Sequence, residues 1–139
     1  MKIEKLTLGI FLILFFQSFV GFSQPNNNDP VIVWLKGFYV TYMTEISKMP
    51  PDIKKIESLR ANNCTKQFLS KLNSGDYDFD PFISAQDFDI KSIKSLSIRK
   101  GSRNNLYVIS YKNTGNNHTV NVNVFIAHEK NRYLIMELK

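Results

Sequence analysis

The chain has one cysteine and two histidines in 139 residues. A single cysteine excludes a disulfide framework and a cysteine-rich zinc site. His118 and His128 stand ten positions apart on one expected strand, too far to act together. There is no Gly-x-Ser-x-Gly, no His-Glu-x-x-His and no phosphate-binding loop. No proline follows Pro81, and neither an internal repeat nor a low-complexity tract is present. With no catalytic constellation to point to, the chain is expected to be a non-enzyme with no cofactor.

What is present is ordinary globular composition, 43% hydrophobic and 22% charged, in a length that suits one domain. Residues 1–23 have the layout of a secretory signal peptide. Lys2 and Lys5 form a positive start, Leu6 to Val20 a long apolar stretch, and Gly21-Phe22-Ser23 a small-residue cleavage site. The span would also cross a bilayer if it were retained as an anchor, but Gln17, Ser18 and the cleavage site favour removal. The mature protein, residues 24–139, is then a single exported domain, periplasmic or secreted. It meets a membrane only through the signal segment before cleavage.

Export places Cys64 as a lone thiol in a disulfide-forming compartment, where a buried small hydrophobe is the simpler role and intermolecular pairing the other. Asn63-Cys64-Thr65 and Asn117-His118-Thr119 match the glycosylation sequon, which matters only in a eukaryotic host.

After the polar linker 24–28, Asp29-Pro30 forms a helix start. Val31, Trp34, Leu35, Phe38, Tyr42 and Ile46 then recur at three- and four-residue steps, the pattern of one helical face. Val33, Tyr39, Val40 and Met43 widen that face and predict burial on most sides. Lys48-Met49-Pro50-Pro51 ends the helix. Asp52 is placed to cap a second short helix carrying Ile53, Ile56 and Leu59. A third is expected to carry Cys64, Phe68, Leu69 and Leu72 and to stop at Asn73-Ser74-Gly75.

Beyond Pro81 the pattern alternates. Ile93, Leu96 and Ile98 predict a first strand and Leu106 to Lys112 a second. Val120, Val122, Val124 and Ile126 mark a third, and Arg132 to Leu138 a fourth, joined by turns at Gly101–Asn105, Asn113–Asn117 and Glu129–Asn131. Helices followed by hairpin-connected strands define an α+β fold. The expected architecture is N-terminal helices, one of them long, packed on a curved four-stranded antiparallel sheet whose other face is wetter.

Charge is divided. Residues 24–90 hold seven basic and nine acidic side chains, residues 91–139 nine basic and two acidic. A basic exported domain points away from nucleic acid and toward anionic envelope polymers, lipid head groups or an acidic protein. Solvation of an exposed face, with lysines protecting strand edges, explains the same charge without a partner.

The order of elements resembles a family of small exported bacterial domains of unknown function with a nuclear-transport-factor-2-like, or cystatin-like, fold. Cys64, Thr65, Asp78, Asp80, Pro81, Phe82, Ala85, Gln86 and Asp87 carry the likeness. It implies a cone in which a curved sheet wraps a long helix and leaves a pocket at the open end.

Two groups of residues are candidate sites. Trp34, Tyr39, Tyr42, Tyr107 and Tyr111, with Asp80, Gln86 and Asp87, would line a cone pocket for a small ligand, a peptide or an envelope polymer; the first five equally suit a core. Asp76, Asp78, Asp80, Ser84 and Asp87 occupy places 1, 3, 5, 9 and 12 of a calcium loop. Pro81 stands where such a loop wants glycine, so a structural loop closing one end of the core through Phe79, Phe82, Ile83 and Phe88 is preferred, with no metal. The functional expectation is a non-catalytic exported binding module. The alternative is a periplasmic inhibitor or immunity protein against a secreted toxin or hydrolase, in which case the partner is a protein.

Overall fold

The computed structural model describes residues 29–86 and 88–139, so the expected signal peptide 1–23, the expected linker 24–28 and Asp87 lie outside the described residues. Three helices come first: α1 (Pro30–Ile46), α2 (Ile53–Asn63) and α3 (Lys66–Asn73). A 3-10 helix (Ile90–Ser95) leads into four strands, β1 (Ser97–Lys100), β2 (Leu106–Lys112), β3 (Thr119–Glu129) and β4 (Arg132–Leu138). The strands form one antiparallel sheet in the order β1-β2-β3-β4, curved and unclosed, with the helices on it in an α+β arrangement.

Helix α1 starts where Asp29 Oδ1 accepts the Val31 N–H at 2.9 Å and Pro30 needs no hydrogen-bond acceptor. Leu35, Phe38, Tyr39, Tyr42 and Met43 are buried, with Trp34 and Ile46 packed at the margin. Val33 departs from the expected wide apolar face and is 59% exposed. One turn on, nothing lies within 4 Å of a Cβ added at Gly37, so that side of the helix is open.

Helix α2 is capped by Asp52, as its sequence position implies, through the Lys55 N–H at 3.1 Å. Ile56 is buried, whereas Ile53, in the first turn, is exposed. Cys64, expected in α3, instead forms the extended corner between α2 and α3. Thr65 caps α3 through the Phe68 N–H, and its own N–H donates to the Ile135 carbonyl at 2.9 Å, which ties the corner to β4.

The first strand is shorter than its apolar residues imply. Ile93 and Leu96 are three apart, so alternation would send them to opposite faces. A three-residue turn points both the same way, and both pack against the core. Asp89 caps that 3-10 helix through the Lys91 N–H at 2.9 Å.

The pairing register puts Ile98, Ile109 and Val122 in one row and Tyr107, Val124 and Leu138 in another, with Ile126 opposite Ile135. All of these join the α1 residues in a single core. The opposite face carries Ser97, Arg99, Ser110, Lys112, Asn121 and Asn123 by the same register. Val108, Phe125 and Leu134 are buried yet stand outside that core, a minor apolar cluster on the second face.

Candidate functional site

The predicted aromatic residues fill space rather than line it. Tyr39, Tyr42, Tyr107 and Tyr111 are 0%, 0%, 3% and 1% exposed. Tyr42 stacks on Phe38 at 5.5 Å and lies 4.8 Å from Phe82, so rings from α1 and the aspartate-rich acidic loop 76–89 close the region where a cone pocket was expected. Trp34 is set apart, half-buried against Tyr133 at 5.8 Å. Gln86 is exposed, and Asp87 lies outside the described residues.

Three of the four buried tyrosine hydroxyls have a structural partner. Tyr107 donates to Asp29 Oδ2 at 3.1 Å, linking β2 to the cap of α1. Tyr111 donates to the Ile83 carbonyl and holds the loop onto β2. Burial, with Asp29 and Asp80 respectively nearby, pushes both hydroxyls up to about 12. The Tyr39 hydroxyl is buried without a hydrogen-bond partner, and burial raises it well above its ordinary value.

Tyr42 and Asp80 are brought together, with a third residue that the sequence did not single out. Tyr42 donates to Asp80 Oδ2 at 2.7 Å. Arg60 on α2 donates to the Tyr42 hydroxyl through Nε at 3.0 Å and again through Nη2, and reaches Asp80 Oδ2 at 3.2 Å. Its guanidinium also lies 5.5 Å from the Tyr42 ring centre and 5.6 Å from that of Phe82. The second Asp80 oxygen accepts the Phe82 N–H at 2.9 Å. Burial, then the Asp80 charge, raises the Tyr42 hydroxyl far above its ordinary range. A phenol held neutral, next to a carboxylate whose oxygens serve three donors, is poorly suited to accept a substrate proton.

Arg60 was legible in one respect. It follows Ile56 by four residues and so shares the buried side of α2.

The same contacts engage part of the calcium arrangement, whose Asp87 lies outside the described residues. Asp80 is spent on Tyr42, Arg60 and the backbone, while Asp76 accepts a 2.6 Å bond from Ser74. Asp78 and Ser84 are exposed, and among the described residues no three His, Cys, Asp or Glu side chains converge as a metal ion requires. Phe82 and Ile83 are buried and Phe88 packs edge-on to Tyr111 at 5.7 Å, so the loop does close one end of the core. Phe79 does not join them and is 44% exposed.

Open space lies at the surface. A cleft of about 490 Å³ runs between the α2–α3 corner and the β3–β4 hairpin, lined by Ala61, Cys64, Lys66, Gln67, Arg132 and Met136 among others. Arg132 forms one wall and is fixed there by donating to the Asn62 carbonyl at 2.6 Å. A second cleft of about 400 Å³, lined by Glu57, Arg60, Leu69 and Asn73, opens beside the Arg60 cluster. Burial pushes the Cys64 thiol up to about 12, so it contributes an apolar wall and no nucleophile.

No family model and no curated protein matches the chain. A crystal structure of a protein of unknown function from Bacteroides thetaiotaomicron VPI-5482 has a similar fold, with a TM-score of 0.69 and 24% identity, over 78% of this chain and 87% of that one. At that identity the likeness is one of fold.

Proposed function

We propose that the protein is a non-catalytic exported binding module, its fold of the nuclear-transport-factor-2-like or cystatin-like kind, which meets its partner in a surface cleft rather than an internal pocket. The observation that carries this reading is the packing of Tyr39, Tyr42, Tyr111 and Phe82 into the space between α1 and the sheet. With that space filled, the cleft beside the α2–α3 corner offers polar and apolar groups on a rigid frame: Lys66, Gln67 and Arg132 with Met136. The saturated Tyr42–Arg60–Asp80 cluster supports a binding role over acid–base chemistry. Export rests on the signal-like segment 1–23.

The test is a pull-down of the tagged protein from envelope extract and secreted material of its source, repeated with Ala61→Trp, which fills the cleft. A protein or small molecule retained by the wild type and lost by the variant supports the reading. Turnover of a bound compound contradicts it. A stoichiometric toxin or hydrolase among the captured proteins assigns the inhibitor or immunity role.

A further inference from the structure

We infer that the second face of the sheet, with the 3-10 helix leading into it, is a docking surface for a linear anionic polysaccharide. This goes beyond the cleft reading by adding a second site, and rests on it only for the exported, non-catalytic role. Between Lys91 and His128 the chain has six basic residues, Lys91, Lys94, Arg99, Lys100, Arg103 and Lys112, and no Asp or Glu. All six are exposed, and among the described residues none of them forms an ion pair; Arg99 and Lys112 stand on the second face, whereas Lys100, opposite Tyr107, belongs to the core-side row. Asp89 stands at the border, its carboxylate occupied by the Lys91 N–H and the Thr114 hydroxyl.

The arrangement is extended. Lys91 and Lys94 are three apart on a 3-10 helix and share a side. Arg99 faces outward opposite Val108, and Lys112 lies four residues further along β2, about 13 Å at the rise of a strand. Between them Ser97, Ser110 and Asn121 stand in one row, the Ser110 hydroxyl donating to Asn121 Oδ1 at 2.6 Å. Spaced cations separated by hydroxyl and amide groups match a polymer that alternates anionic groups with hydroxyls.

Edge protection accounts for cations on β1, an outer strand; Lys112 lies past the last β1 pair, Ser97–Ser110, but its N–H is already taken by Ser95 Oγ at 2.8 Å, so that edge is not open. The face also argues against other polyanions. On the sheet Val108 and Phe125 are buried, and the exposed apolar side chains near the face, Ile90 at the start of the 3-10 helix and Met136 on the outer strand β4, are single and separated, too few to anchor it in a lipid surface. It shows no exposed aromatic ring on which a nucleic-acid base would stack.

The test measures binding of the whole protein to dextran sulfate and to polygalacturonate, with neutral dextran as reference, across a salt series. The variant Lys94→Ser/Arg99→Ser/Lys112→Ser is expected to bind about tenfold more weakly and with a shallower salt dependence, since fewer counterions are released. The charge-matched control Lys36→Ser/Lys54→Ser/Lys71→Ser is expected to lose less than about twofold if placement rather than net charge governs binding. Equal losses in the two triple variants overturn the proposal, as does equal affinity for neutral dextran. Tighter binding to anionic vesicles or to DNA reassigns the face and overturns it as well. Should the first variant fail to melt cooperatively, Lys94→Ser, Arg99→Ser and Lys112→Ser are measured singly, each expected to weaken binding and each overturning the proposal if all three are neutral. Ala61→Trp must leave glycan binding unchanged, so failure here is distinct from failure of the cleft.

Discussion

The Tyr42 hydroxyl on α1 donates a 2.7 Å hydrogen bond to Asp80, 38 residues later in the acidic loop. Arg60 completes the contact from α2. Three segments distant in sequence thus meet at one partly buried polar cluster, over a floor formed by Phe38 and Phe82. The loop that looked most like a ligand site is fastened to the core by its own aspartate.

The buried thiol gives the first prediction. Cys64 is 5% exposed, and burial raises its thiol to about 12. The folded protein is expected to react with a disulfide reagent at about pH 8 far more slowly than the protein in denaturant, because little thiolate forms and access is closed. Equal rates in the two conditions contradict the assigned burial.

Calcium provides the second. With Asp80 engaged by Tyr42, Arg60 and the Phe82 N–H, millimolar calcium is expected to leave the melting temperature unchanged, and chelator likewise. A rise with calcium that chelator reverses would mean that the loop opens and rebuilds around the ion.

Acid stability is the third. Glu45 is 3% exposed on α1, bonded to Lys48 and to Lys55, each at 2.6 Å. Hydrogen bonds from Lys48 and then Lys55 hold its carboxyl below the ordinary 4.5. The unfolded chain binds that proton more readily, so this contribution is full above 4.5 and is lost as pH falls through the lower folded value. Urea midpoints of Glu45→Gln are expected to lie below wild type near neutral pH and to converge with it on acidification. A constant difference across the acid range contradicts this.

Helix starts and strand limits were legible because each depends on local chemistry. Asp29 and Asp52 cap through their own side chains, and β2 and β4 fall where alternation places them. The 3-10 helix was hidden because Ile93, Leu96 and Ile98 satisfy a strand at their last two members and a three-residue turn at their first two. The site was less legible. Tyr42 and Asp80 were both named, but their union depends on where α2 crosses α1, and Arg60 joined them by long-range packing. Glu45 was invisible for a related reason. It sits on the buried side of α1, neutralised by lysines that a pattern of apolar residues does not register.

Tyr42 and Asp80 form a structural tie between α1 and the loop, and a double-mutant cycle in urea measures it. Tyr42→Phe removes one hydroxyl and keeps the ring, at an expected cost of about 1–2 kcal/mol. Asp80→Asn leaves Arg60 without its carboxylate, at about 2–3 kcal/mol. Because the two residues share one hydrogen bond, the double variant should lose less than the sum, with a coupling of about 1 kcal/mol or more. Additive losses, or a Tyr42→Phe protein as stable as wild type, would contradict the tie and return the loop to the candidates for ligand binding.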